Sequence, residues 1–177
     1  SAPTPAQQRY AAPDGHLRVA LARQPFSPTG TSTGPNVMAA GGIQKQLTDM
    51  GATVRSAESV LTAQQDTEYG AWKRLGWALG NFADIVAKNE LDGYFTIGLF
   101  ATCPSMPGMV AGLQRSALTG APLRVGMLWL DAHADFNTPE TTRSGSMGGM
   151  PVAIATGRAL TNLRLEIHVG DREPVVS

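Results

Sequence analysis

Short apolar runs alternate with longer stretches of helical periodicity along most of the chain. Residues 17–21 read as a first strand, and residues 36–50 then place Val37, Met38, Ile43 and Leu47 at helical spacing, with Gly51 as a stop signal. Residues 52–54 form a short strand candidate. The pattern from about 63 to 88 carries Trp72, Leu75, Trp77, Leu79, Phe82, Ile85 and Val86, which predicts one amphipathic helix whose aromatics belong to the core. A strand at 93–98, a helix at about 107–117, a strand at 125–130, a helix beginning near Met150 and a strand at 163–169 complete the series. This β–α repetition predicts an α/β fold, a three-layer α/β/α arrangement around a mainly parallel sheet.

At 177 residues, 42% hydrophobic and 16% charged, the chain fits one globular domain. Residues 1–15 are rich in Ala, Pro and Gln and lack an apolar signal core, so they read as a flexible arm ahead of a domain at 16–177. Fourteen basic residues balance fourteen acidic ones, which argues against nucleic acid or an anionic membrane as a partner. No apolar stretch approaches the roughly 20 residues of a membrane span. The single cysteine, Cys103, excludes an intrachain disulfide and fits a reducing, cytoplasmic setting.

The chemistry concentrates where the apolar run 125–130 meets Asp131, Ala132, His133, Ala134 and Asp135. If the extended backbone continues, alternate residues share a face, and Asp131, His133 and Asp135 project to one side. Two carboxylates and an imidazole suit Mn, Fe, Co, Ni or Zn. Each acid has an ordinary alternative as a turn residue or helix cap. The polar, Gly-rich loop that follows, residues 136–151, lies where open α/β sheets hold ligands, beyond the carboxyl end of a strand.

From Asp131 to Pro151 the chain resembles the ureohydrolase superfamily of arginases, agmatinases and formiminoglutamases. That family carries Asp-Ala-His-x-Asp, a spacer, and Ser-Gly-Asn-x-His-Gly-x-Pro. The spacer 137–145 is most similar to that of arginases, so the resemblance implies that Asn137, Thr142 and Ser144 hold the carboxylate of an amino-acid substrate. On their own chemistry these three are amide and hydroxyl donors of a kind common in turns. Residues 25–35 also resemble the family's glycine-rich segment ahead of its first helix. The resemblance implies Asp131, His133 and Asp135 as metal ligands, Mn as the foremost cofactor, and Zn, Ni or Co as alternatives.

Three departures modify that picture. Where the family ends its preceding strand in Gly-Gly-Asp-His, residues 99–105 run Leu-Phe-Ala-Thr-Cys-Pro-Ser, and alignment on Ser105 and Gly108 puts Cys103 at the ligand position. A thiolate there favours softer ions such as Zn; a small packed cysteine is the other reading. The family's proton-shuttling histidine is Gly148 here, a loss that general acid–base catalysis values at ~10²–10⁴ in rate. His16, in the arm, and His168, within a strand, are poor substitutes. Finally, the family's second Asp-x-Asp motif has no match in Glu166, Asp171 or Glu173. Its last two strands, which lie between the third and fourth, are also unaccounted for, and such a gap leaves strand edges uncovered.

The expectation is therefore an arginase-like α/β fold, incomplete in this chain, acting as one part of a two-chain or cleaved enzyme. A complementary chain supplies the missing strands and acids, and the whole forms a higher homo-oligomer. It hydrolyses linear C–N bonds in small guanidino or amidino compounds, arginine-like ones included, with His133 and Asp135 central to the chemistry. Two readings stand beside it: a non-catalytic scaffolding subunit, and a single-metal amide hydrolase.

Overall fold

The computed structural model describes residues 5–27, 30–31, 33–117 and 123–160. In chain order these form α1 (Pro5–Tyr10), β1 (Arg18–Gln24), β2 (Phe26–Ser27), β3 (Gly30–Thr31), α2 (Gly34–Met38), α3 (Gln44–Asp49), β4 (Thr53–Glu58), α4 (Ala63–Asp66), α5 (Ala71–Leu91), β5 (Phe95–Phe100), α6 (Met106–Arg115) and α7 (Pro151–Ala155). The main sheet has the order β4-β1-β5 with both pairings parallel, and β2 and β3 form a small antiparallel ribbon beside it. Val19 lies opposite Val54 on one side and Phe95 on the other. Consecutive residues Val19, Ala20, Leu21 and Ala22 are all buried, so both faces of β1 are covered, as a central parallel strand requires.

The long helix α5 joins the layers. Phe82 and Val86 pack on Ala22 of β1, and the Phe82 ring meets Phe100 edge-on at 5.2 Å. Leu75, Leu79 and Ala83 pack instead with Ala111 of α6 and with Met147, Met150, Ala153 and Ile154. One helix thus ties the sheet to the loop that holds the chemistry. Close approach of α5 and α6 depends on Gly112, where a β-carbon would fall 2.4 Å from Val86 Cβ and 2.7 Å from the Ala83 carbonyl oxygen.

Several elements differ from the sequence reading. The helix expected over 36–50 is interrupted by a wide turn at Ala39–Ile43, where Gly42 takes φ 94°, a conformation open to glycine. The helix expected over 63–88 is split: Thr62 and Gln65 form a capping box on α4, and Gly70 at φ 95° precedes α5. Trp72 in the first turn of α5 is 44% exposed, so this aromatic is not core, whereas Phe82 is. Within the expected arm, α1 is docked: the Tyr10 hydroxyl donates to Glu90 Oε2 at 2.9 Å and its ring meets Phe95 edge-on. The strand expected at 163–169, with His168, lies outside the described residues.

The largest correction concerns residues 125–130, which form no strand. Among the described residues no strand pairs with them, and Leu128 and Leu130 are 83% and 86% exposed. The physical reason is that an apolar run becomes a strand only where a neighbour accepts its backbone hydrogen bonds.

The α5–α6 crossing yields a direct test. Gly112→Ala should destabilise the fold by about 1–3 kcal/mol, the usual range for overpacking a tight contact. Urea unfolding checks this, and unchanged stability would show that the two helices part freely.

Candidate metal centre

The turn Cys103–Ser105 carries the chain from the carboxyl end of β5 into α6, with Pro104 and Ser105 buried beneath it. Gln24 at the end of β1 accepts the Ala101 amide at 3.0 Å, which fixes the departure point of that turn. Opposite it stands the segment 131–135. Sulfur and carboxylate donor atoms of Cys103, Asp131 and Asp135 all lie within 4.8 Å of one another. They open into a cavity of about 740 Å³ also lined by His133, Asn137, Ser144, Ser146, Gly148 and Gly149.

The strand-like alternation expected for 131–135 does not hold, because Asp135 has φ 47°. Asp tolerates this left-handed region better than most residues, and the twist brings its carboxylate back toward Asp131. The Asp135 carbonyl accepts the Val152 amide at 3.1 Å, and the Asn137 amide donates to the Gly149 carbonyl at 2.9 Å. These two bonds close the loop on itself and seat it on the start of α7. Asp131 accepts the His133 amide at 3.0 Å, an Asx turn that points the imidazole outward. The His133 side chain is 82% exposed; its Nδ1 lies 3.6 Å from Asp131 Oδ1, and it stands outside the three-donor group.

The expected substrate contacts divide in the same way. Asn137 and Ser144 line the cavity, whereas Thr142 is not among its lining residues. Thr142 Oγ1 accepts the Gly145 amide at 3.1 Å, Asn137 Oδ1 accepts from Thr141 at 3.2 Å, and Ser144 Oγ accepts the Ser146 amide at 3.3 Å. Ser146, not singled out from the sequence, caps the turn at Met147–Gly149 by accepting the Gly148 amide at 3.1 Å. A serine two residues before a glycine pair is the signal that would have found it.

The electrostatics favour a cation. Burial pushes the Asp135 carboxyl upward, and the Asp131 carboxylate adds to the shift, while His133 and a hydrogen bond from Cys103 act against it. Burial also raises the Cys103 thiol, with the same two acids contributing. A divalent ion would relieve the resistance of Asp135 and Cys103 to charging, and a sulfur with two carboxylate oxygens is a donor set such ions accept. The donors brought together suffice for one ion.

Comparison with known proteins finds similarity to arginases. Residues 103–175 match the family model described as "Arginase family". Arginase from Brucella melitensis is 33% identical over 134 residues, covering 73% of this chain and 44% of its own length. Arginase-2, mitochondrial, of Bos taurus is 28% identical over 145 residues, covering 76% and 40%. The solved arginase of Bacillus subtilis superposes with a TM-score of 0.71 at 22% identity, covering 90% of this chain and 53% of that one, a likeness of fold. The chain therefore spans about half the length of its relatives, or less.

Asp135→Asn keeps a side chain that tolerates the left-handed backbone while removing the charge. It should lower bound divalent metal, read by elemental analysis after dialysis, with the melting temperature little changed. Undiminished metal content would remove Asp135 from the ligand set.

Proposed function

The chain belongs to the ureohydrolase superfamily, and we propose that it is one part of a metal-dependent hydrolase of linear C–N bonds in guanidino or amidino compounds, arginine-like substrates included. The observation that carries this reading is the gathering of Cys103, Asp131 and Asp135 in a cavity shared with Asn137 and Ser144. A divalent ion bound there would supply Lewis acidity, lowering the pKa of a water so that hydroxide is available near neutral pH for attack on a planar amidine carbon. Cys103, Asp131 and Asp135 would hold it. The backbone at Asp135 and the loop-closing bonds to Val152 and Gly149 orient those donors, and Asn137 and Ser144 present amide and hydroxyl groups to the polar end of a substrate.

His133 is assigned to a second cation position. Its place beside Asp131 supports these two residues as ones that would help hold a second ion, with the remaining ligands contributed by another polypeptide segment. That segment is also proposed to supply strands against residues 125–130 and the side of β5 that has no strand among the described residues, in a higher oligomer with the same arrangement in each copy. The exposed apolar side chains of 125–130 support this, since such a run is stable in water only when covered. No helix among the described residues is long and apolar enough to cross a membrane.

The test is hydrolysis of arginine, agmatine, formiminoglutamate and simple amides by the assembly as purified, with metal analysis and intact-mass measurement on the same sample. Product from a guanidino or amidino substrate, with about two ions per site, bears the proposal out. Turnover of simple amides alone with one ion favours an amide hydrolase, and a stable, inactive, metal-free assembly favours a scaffold.

Two substitutions sharpen it. Cys103→His should move the preference from Zn toward Mn, seen as the ratio of the two affinities in competition binding; an unmoved ratio means that the thiol only packs. Gly148→His should raise kcat by ~10² or more if proton transfer limits turnover. A β-carbon there would meet the rotatable Ser146 hydroxyl at 3.2 Å, so that hydroxyl must shift by a few tenths of an ångström to admit it. An unaltered kcat with the substrate bound would show that another group already moves the proton.

A further inference from the structure

Directly behind the Cys103 turn lies a polar contact that packing alone does not call for. Gln24, the last residue of β1, and Ser105, the last residue of the turn, are both fully buried, and the Ser105 hydroxyl donates to Gln24 Oε1 at 3.0 Å. Gln24 Nε2 is buried with no hydrogen-bond partner among the described residues, and so is the Thr102 hydroxyl on the other side of Cys103. Exchanging the amide's oxygen and nitrogen leaves one of its two ends unmet in either orientation. A leucine or methionine would fill this volume with no amide left to satisfy, and paired with alanine at 105 it would strand no polar group.

Resting on the reading of Cys103 as a ligand, we infer that Gln24 is a positioning residue: its hydrogen bond to Ser105 anchors the 103–105 turn to the central strand and so sets the Cys103 sulfur against Asp131 and Asp135. The geometry is short and direct. β1 is held on both sides by parallel neighbours, and the backbone of Gln24 itself accepts the Ala101 amide just ahead of the turn. The side-chain bond adds a second attachment just after Cys103, so both ends of the segment that bears the thiol are fastened to one residue. Rigid support of this kind matters for a sulfur ligand, because a thiol that drifts away leaves only the two carboxylates.

Cobalt(II) titration of the purified full-length protein tests this, since a thiolate–cobalt bond gives a near-ultraviolet charge-transfer band that carboxylates alone do not. Gln24→Leu should weaken cobalt binding about 10- to 100-fold and diminish the band, the scale on which outer supports of ligands act. The double variant Gln24→Leu with Ser105→Ala removes both halves of the buried pair, so it leaves no orphan hydroxyl and remains usable if the single variant fails to fold. Wild-type melting temperature with cobalt affinity still reduced in the double variant supports the inference. Wild-type affinity in either variant overturns it and assigns the pair to stability. If wild-type protein shows no band and Cys103→Ser binds cobalt equally well, Cys103 is not a ligand, and the parent reading falls together with this one.

Discussion

Two carboxylates and a thiol held within one ion's reach repel each other when charged, and the rest of the site is organised around that cost. The protein meets it from two sides of unequal firmness. Cys103 departs from β5, which pairs with the buried central strand β1 and leads into α6 packed on α5. Asp131 and Asp135 follow a segment with no strand partner among the described residues, tied at Leu123, whose backbone bonds both ways with the Gln114 side chain of α6, and at its far end, where the Asp135 carbonyl takes the Val152 amide and the loop closes on Gly149. One half of the donor set is thus built into the sheet, and the other sits in a loop tied at both ends but paired with no strand among the described residues.

That asymmetry links the fold to the proposed assembly. In a complete parallel sheet, the ligand-bearing loops leave strand ends whose directions are fixed by hydrogen bonds on both sides. Among the described residues β5 pairs with a strand on one side, and residues 125–130 display Leu128 and Leu130 to solvent. Covering that run would remove an apolar surface from water and fix where Asp131 begins. The outward turn of His133, set by the Asx bond from its own amide to Asp131, is a local arrangement that such pairing would be free to change.

The sequence carried the order of elements and the chemistry of the loop more clearly than the backbone that aims it. β1, β4, β5, α5 and α6 stand close to where apolar periodicity puts them, because each meets a strand or helix partner present in the chain. Residues 125–130 have equally strong apolar character and form no strand, because periodicity reports a wish to be buried and not the presence of something to bury against. The grouping of Cys103 with Asp131 and Asp135 followed from aligning Ser105 and Gly108 with a family pattern. The departure of His133 from the group did not, since it turns on φ 47° at Asp135 and on an Asx bond, neither of which has a period. Gln24 was invisible for a further reason: a glutamine at a strand's end reads as surface, and only the packed structure shows it sealed in beside Ser105.

The two replacements at the site push in consistent directions. A thiol in place of an imidazole brings a softer donor that carries charge when it binds, and with two carboxylates it gives a donor set that neutralises more than the charge of one divalent ion. Excess negative charge lowers the Lewis acidity felt by a water at that ion, so the same substitution that tightens the grip on a zinc-like cation weakens its power to activate water. Gly148 removes the side chain that could move a proton in compensation, yet leaves its part of the cavity wall open. On the proposed reading the chain is better fitted to hold a cation firmly than to turn over quickly by itself, and fast catalysis would require a covering segment to bring a proton carrier as well as ligands.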